Sequence, residues 1–435
     1  MYKKRHIDRL IDEYLEDFPV VLVEGAKAVG KTASCERVAK TTYYLDEKLH
    51  YDLLSSDPSI VLTDEPPVLL DEWQKIPSLW DFGRRAVDRG LSEGQLLMTG
   101  SNPIIDNSLH SGAGRIVRLK MRPYSIEERE MSDSFIRISD LITGKIEKVT
   151  GKSRFALNDY LEEIFRSGYP AIRTLKPRAR EIILEDYVQN IIDKEFSENG
   201  FKVKKPDLLL SWLKSYSAAM GTTTSFSKIL ETAMANRTEK SSRTTVDNYR
   251  DALQIINVIE ELESWPNYGK LFPAISKAPK HFLVDPSFVT PLLGITAEKL
   301  GKGQINDVAE IKAQEAKKPT GKLNKSFLGH IIEAFVYQSL ATYCEVNRLR
   351  LSHLRLDKFG KEIDFIVEDN KHDTIIAIEV KSASSINNDD VQHLTWFEGE
   401  AKSEYKVIKV ILYTGEFAYT RQDGVHVIPI AMLGA

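Results

Sequence analysis

Residues 19–36, PVVLVEGAKAVGKTASCE, decide how the rest of the chain is read. Pro19 to Val23 is a short β-branched run, and Lys31 to Lys40 reads as a helix. Between them Gly25, Ala26, Lys27, Ala28, Val29, Gly30, Lys31 and Thr32 satisfy the spacing GxxxxGK[ST]. A strand, a Gly-rich loop and a helix in that order turn backbone N–H groups toward a phosphate. Lys31 would reach the β- and γ-phosphates of a nucleotide, and the Thr32 hydroxyl would ligate Mg²⁺.

Such a site needs an acid on a neighbouring strand. PPVLLDEWQKIP (66–77) supplies it: Val68–Leu70 is a buried-strand run with Asp71 and Glu72 at its C-terminal end. Ligands of parallel α/β sheets bind outside that end. Asp71 is expected to hold Mg²⁺ through water, and Glu72 to orient or deprotonate the attacking water. A third strand, Gln95–Met98, runs into TGSNP, where Thr99, Ser101 and Asn102 are candidates to sense a γ-phosphate. Ser101 and Asn102 are favoured, and an ordinary polar turn is the alternative. Arg115 follows Ser-Gly-Ala-Gly and precedes the strand Ile116–Leu119. It reads either as an arginine finger, acting in cis or in trans, or as a surface arginine.

The C-terminal part carries a second constellation. KEIDFIVED and TIIAIEVKSA read as paired strands bearing Asp364 on one and Glu379 and Lys381 on the other. Residues at i and i+2 share a strand face, so Glu379 and Lys381 are neighbours. Gly329–Leu340 is an amphipathic helix carrying Glu333. Asp364, Glu379 and Glu333 offer the hard oxygen ligands Mg²⁺ prefers, and Lys381 would position or deprotonate a nucleophile. The competing account is a sheet with charges on its solvated face.

Between the two constellations lie helical patterns. DYLEEIFRSGYPAIRTL through ILEDYVQNIIDKEF is followed by three more helices from Pro206 to about Ser264, which read as a winged helix-turn-helix unit. Ser242, Arg243, Thr244 and Thr245 would begin its recognition helix. Residues 201–250 hold nine Lys/Arg against four Asp/Glu, a local excess of +5 in a chain of net charge −4. That excess suits a nucleic-acid contact, DNA more than RNA, or merely a solvated face; units of this shape also serve ATPases as lids. Residues 301–325, polar and Lys-rich, read as a mobile linker.

The 435 residues suffice for several cores. No run of 18 apolar residues argues for a membrane span. Two distant cysteines, Cys35 and Cys344, exclude a disulfide framework, and a reducing cytoplasm is expected. The expected organisation is α/β in three parts: residues 1–135, a winged-helix-like middle at 155–265, and an α/β domain at 270–435.

The stretches VLVEGAKAVGKT, VLLDEWQKIP, LLMTGSN, GAGRIVRLKMRPYSIEE, SGYPA, APKHFLVDPSF and GHIIEAFVYQSL…EIDFIVED…AIEVKSA run in order over nearly the whole chain. Together they resemble a family of prokaryotic AAA-like P-loop ATPases whose C-terminal domain, formerly of unknown function, has a PD-(D/E)XK restriction-endonuclease-like core. The resemblance implies an ATPase, a winged-helix-like middle and a nuclease-like end; ATP and Mg²⁺ are the ligands expected at the loop, and a homo-oligomer is possible. It leaves the substrate open: a nucleic-acid-directed ATPase with a cutting site, or an ATP-controlled interaction switch whose nuclease-like domain only binds.

Lys31 touches phosphate in the ground state, whereas Glu72 acts on water. Lys31→Ala should therefore abolish ATP binding, while Glu72→Gln should leave binding intact and stop hydrolysis. Equal loss of affinity in the two variants, measured by titration calorimetry, would remove Glu72 from this role.

Overall fold

The computed structural model describes residues 2–101, 113–198, 200–201, 203, 205–235, 243–266, 278–302, 327–356 and 360–435, the side chains of 243–246 excepted. The expected linker at 301–325 lies outside these residues from 303 onward.

Strands β1 (Val20–Gly25), β2 (Thr41–Tyr44), β3 (Val68–Asp71), β4 (Leu96–Gly100) and β5 (Ile116–Met121) form an all-parallel sheet in the order β2-β3-β4-β1-β5. The near-continuous apolar runs follow from burial on both faces. Val20 and Leu22 of β1 pack into one core with Leu70, Trp73 and Trp80. Val21 and Val23 point the other way, into a second core shared with Leu69 and Leu97. Gly25 ends β1 beside Met121, and a Cβ there would stand 2.2 Å from the Met121 carbonyl oxygen. Only glycine lets β1 and β5 run this close where the loop begins.

The second core does not stop at this domain. It continues through Leu161, Ile191, Trp212 and Leu253 of the helical middle to Phe335, Leu340 and Phe365 near the C-terminus. The middle contains helices at Leu157–Phe165, Pro177–Asn190, Pro206–Ala218, Phe226–Met234 and Arg243–Ile255. After them β8 (Ile259–Leu262) pairs antiparallel with β9 (Lys280–Leu283), and this pair straddles the boundary expected near 265–270.

A second sheet of seven strands closes the C-terminal part. It contains β10 (Arg350–Leu356), β11 (Lys361–Asp369), β12 (Thr374–Lys381), β13 (Lys406–Tyr413), β14 (Phe417–Thr420) and β15 (His426–Pro429). Its last edge is β7 (Thr150–Lys152), a strand that precedes the whole helical middle in sequence. Likewise β6 (Ile136–Arg137) pairs with β16 (Leu433–Gly434). The segment 136–152 thus belongs to the C-terminal architecture.

Buried charges tie these parts together. Arg5 precedes the helix His6–Asp17; its Nε donates to Glu128 Oε1 at 2.9 Å, and one terminal nitrogen donates to the Val29 carbonyl of the Gly-rich loop at 3.2 Å. Burial alone would raise the Glu128 carboxyl, yet Arg5, His6 and the N–H groups of Ser125 and His6 bring it down to about 2 from an ordinary 4.5. A depressed carboxylate stabilises the fold fully above its unfolded pKa, so this contribution should fade as pH falls from 4.5 toward 2. Glu128→Gln leaves the Arg5 guanidinium buried without its counter-ion and should cost about 3 kcal/mol or more at pH 7. Urea denaturation of the two proteins at pH 7 and pH 3 checks both statements, since the gap should narrow in acid.

Candidate functional site

The loop after β1 is shaped for phosphate. Ala28 and Gly30 take left-handed backbone angles, φ 64° and 108°, which break the regular chain direction. Lys31 opens the short helix Lys31–Glu36, and its ammonium donates to the Gly25 and Ala26 carbonyls, each at 3.0 Å. Burial lowers the Lys31 pKa, while the charges of Glu72, Asp71 and Glu195 oppose that shift. Its hydrogen-bond partners here are neutral carbonyls, a pairing that phosphate oxygens can replace at modest cost.

Parallel pairing sets β4 beside β1 and β3 beside β4 with their C-terminal ends level: Glu24 lies opposite Gly100, and Leu70 opposite Met98. Asp71 therefore reaches the loop, and its Oδ1 accepts from Thr32 Oγ1 at 2.8 Å. A hydroxyl and a carboxylate so placed are a donor set suited to Mg²⁺ accompanying a nucleotide. Thr99, fully buried, also donates to Asp71 Oδ1, and its hydroxyl lies 3.4 Å from the Glu72 N–H. Of the two candidates among the described residues, Thr99 at the end of β4 and Ser101 after it, Thr99 is the one joined to Asp71. Ser101 offers its carbonyl to Asn257 at 3.3 Å, and Asn102 lies outside the described residues. Glu72 itself takes a left-handed conformation, φ 57°, costing on the order of 1 kcal/mol, and accepts from Gln74. That backbone turn takes Glu72 out of the strand line.

Arg115 is placed elsewhere. Val20 pairs with Ile116, so Arg115 stands at the N-terminal edge of the sheet, five residues of β1 from the loop. At about 3.3 Å per residue that is roughly 17 Å. It pairs with Asp88 at 2.8 Å and is half exposed. The cis option for an arginine finger does not fit this position.

The helical middle contributes groups that the sequence reading did not single out. Tyr187 Oη donates to the Lys27 carbonyl at 3.0 Å, and Lys27 Nζ lies 3.9 Å from Glu198. Glu195, almost fully buried, ends the π-turn Ile191–Glu195 of the same helical stretch. Periodicity could not have found Tyr187 or Glu198, because they lie more than 150 residues beyond the loop they meet.

The C-terminal constellation assembles differently from expectation. The β11–β12 register pairs Phe365 with Ile378, and its next step sets Asp364 opposite Glu379. The Val380 N–H donates to Asp364 Oδ2 at 2.9 Å. Glu379 holds Lys381 at 2.9 Å, as the i, i+2 spacing implied. Asp364 and Glu333, however, converge on the ammonium of Lys280 from β9, at 3.2 and 2.7 Å, with Glu362 at 3.0 Å as a third carboxylate. Lys280 is completely buried, and together with burial it holds the His353 imidazole down at about 3. Among the described residues, no group of three or more His, Cys, Asp or Glu side chains is placed to hold a metal ion. The expected set of Glu333, Asp364 and Glu379 thus splits into two ion-paired groups. Lys280, a cation that enters from another sheet, lies between Glu333 and Asp364, whereas Glu379 is paired with Lys381.

Comparison with known proteins agrees with the loop geometry. Residues 17–130 match the family described as AAA domain. The chain carries an AAA-type P-loop ATPase domain. Residues 157–299 and 328–433 of the chain match two families described as domains of unknown function, DUF8612 and DUF4143. An uncharacterized protein of Mycobacterium tuberculosis is 23% identical over 288 residues, covering 64% of this chain and 56% of its own length. Its counterpart in Mycobacterium bovis matches to the same extent. The chain therefore spans about half the length of the curated relatives it matches. Among solved structures, a Walker-type ATPase of Pyrococcus abyssi shares 13% identity at a TM-score of 0.40, over 67% of this chain and 96% of that one.

The Lys280 cluster yields a direct test. Lys280→Met leaves three carboxylates buried together and should cost about 3–5 kcal/mol at pH 7. The loss should shrink at pH 5, where carboxyls thrown together take up protons. Chemical denaturation at the two pH values reads the difference; equal losses at both would show that the ammonium contributes packing and not charge.

Proposed function

We propose that this chain is an ATP-hydrolysing switch directed at nucleic acid, in which the middle region and the C-terminal domain bind without cutting. The observation that carries the reading is the contrast between its two acidic centres. Asp71 meets the neutral hydroxyls of Thr32 and Thr99 beside a phosphate-shaped loop. Asp364 and Glu333 meet a buried ammonium. The first centre suits an incoming Mg²⁺–nucleotide; at the second, the ammonium of Lys280 already lies among Glu333, Glu362 and Asp364, one cation to three carboxylates.

At the first centre each residue has a separable task. Lys31 exchanges its two carbonyl partners for phosphate oxygens. Thr32 and Asp71 hold Mg²⁺, which supplies charge neutralisation at the phosphates. Glu72, turned out of its strand, orients or deprotonates water, and Thr99 fixes the Asp71 carboxylate from below. Arg115 would serve a neighbouring copy of the chain, because it stands at the far edge of its own sheet.

The nucleic-acid part of the proposal rests on the basic excess in residues 201–250. Of the cations there whose side chains are described, Lys228 pairs with Glu231 and Arg250 with Glu261. No helix among the described residues is long and apolar enough to cross a membrane.

ATP turnover measured with and without single-stranded DNA, double-stranded DNA and RNA tests the proposal. Turnover should rise several-fold with one of them and fall back as salt is raised, and the nucleic acid should stay intact with Mg²⁺ or Mn²⁺. Turnover indifferent to all three would overturn the nucleic-acid assignment. Metal-dependent cleavage that survives Lys31→Ala would overturn the binding-only assignment.

A further inference from the structure

Several carbonyls of the Gly-rich loop are tied to side chains. Lys31, within the loop motif, takes the Gly25 and Ala26 carbonyls. The next ties come from outside the sheet that carries the loop. The Lys27 carbonyl accepts from Tyr187 Oη at 3.0 Å, and the Val29 carbonyl accepts from a terminal nitrogen of Arg5 at 3.2 Å. Arg5 stands ahead of the helix His6–Asp17, and Tyr187 belongs to the helix Pro177–Asn190.

Both anchors are themselves held. The Arg5 guanidinium is almost fully buried. Its Nε donates to Glu128 at 2.9 Å, its other terminal nitrogen donates to the Arg122 carbonyl at 2.6 Å, and it lies over the Tyr124 ring, 4.4 Å from the centroid. A planar fork of this kind addresses several fixed acceptors at once. The Tyr187 ring stacks on Phe288 with centroids 5.1 Å apart. The space behind Gly30 is filled as well: a Cβ there would stand 3.5 Å from the Met121 methyl, 3.6 Å from Arg5 and 3.7 Å from the Pro170 ring.

Peptide planarity gives these ties a consequence. In a trans peptide the C=O of one residue and the N–H of the next point in opposite directions. Fixing the Lys27 carbonyl on Tyr187 aims the Ala28 N–H away from Tyr187. Fixing the Val29 carbonyl on Arg5 aims the Gly30 N–H away from Arg5. Ala28 and Gly30 are the left-handed residues here, φ 64° and 108°, while Lys27 and Val29 keep φ of the ordinary sign. Alternation of that kind gathers successive N–H groups into an anion-binding concavity. An untied loop must adopt this shape when phosphate arrives, whereas a tied one already holds it.

We infer that Arg5 and Tyr187 are positioning residues of the nucleotide site: they hold the Val29 and Lys27 carbonyls outward so that the Gly30 and Ala28 N–H groups face the diphosphate of a nucleotide. The inference rests on the ATPase reading and adds to it one residue from the N-terminal segment and one from the helical middle. Each acts through a single peptide of the loop and not through a contact with nucleotide.

Tyr187→Phe removes one hydroxyl and keeps the ring on Phe288. Arg5→Lys keeps the charge beside Glu128 and gives up the fork. ADP and ATP should bind Tyr187→Phe about 2- to 10-fold more weakly, the range of one neutral hydrogen bond, and Arg5→Lys at least about 10-fold more weakly. Within each variant ADP and ATP should lose by the same factor, because both carry the diphosphate. KM for ATP should rise with kcat near the wild-type value, since these N–H groups serve the nucleotide equally before and during reaction. Calorimetric titration and steady-state turnover supply the readings. A side chain that merely supports the fold would lower kcat too, by displacing Asp71 and Glu72, so a fall in kcat as large as the rise in KM overturns the inference. Unchanged ADP affinity in either variant overturns it for that residue. Wild-type protein that binds neither nucleotide would instead remove the ATPase reading itself.

Discussion

Arg122 and Arg129 set the constraint on which the rest of the structure depends. Both belong to the stretch that leaves β5, and both are carried inside the molecule, where a guanidinium without partners is untenable. Arg122 is held by Glu260 of β8 at 3.1 Å and by Glu345 of the long helix Phe327–Val346 at 2.6 Å. Arg129 donates to the Glu163 carbonyl and to Gln338 Oε1, each at 2.7 Å. Burial, with Arg173 close by, brings the Arg129 pKa down to about 10, still well within the charged range at neutral pH. Each arginine thus demands partners from the middle and from the C-terminal part at once. Neither part can move away from the ATPase sheet without stranding a buried charge, a cost of several kcal/mol. This couples the parts more firmly than their shared apolar core, since apolar contact is non-directional.

Buried charge also sets two similar groups of acids in different surroundings. Asp71 and Asp364 both stand on buried strands beside backbone or hydroxyl donors. What differs is the next neighbour. At Asp71 it is a loop whose cation, Lys31, is bonded to neutral carbonyls. At Asp364 it is Lys280, delivered by β9 from a different sheet and shared with Glu333 and Glu362. A buried carboxylate's partner can thus come from a distant place in the chain.

Much of the ATPase site was legible because it is local. Eight contiguous residues make the loop, and the strand and acid of VLLDE are recognisable from a few residues each. The C-terminal strand pair was legible for the same reason: alternation and the i, i+2 spacing of Glu379 and Lys381 need no tertiary knowledge. Illegible were Thr99, preferred over its neighbours only once β3 and β4 were laid in register, and Arg115, whose distance from the loop depends on the β1–β5 pairing. Glu195, Tyr187 and Lys280 carried no motif at all. Their contacts come from long-range packing, and a single sequence without pairing information holds no trace of it.

By itself, then, the sequence determined a phosphate-binding loop, the acid that serves it, the strands that carry both, and a helical middle before a second α/β part. Propensity, periodicity and short spacings act over a few residues and survive in any context. Tertiary structure alone decided which charges meet. It placed β7 and β6 in the C-terminal sheets, threaded Lys280 into the acids around Asp364, and brought Tyr187 of the middle region to the Gly-rich loop. The physical reason is that a buried charge must be balanced by whatever folding brings near it, and contacts between residues 100 or 200 apart are fixed only when the whole chain has packed.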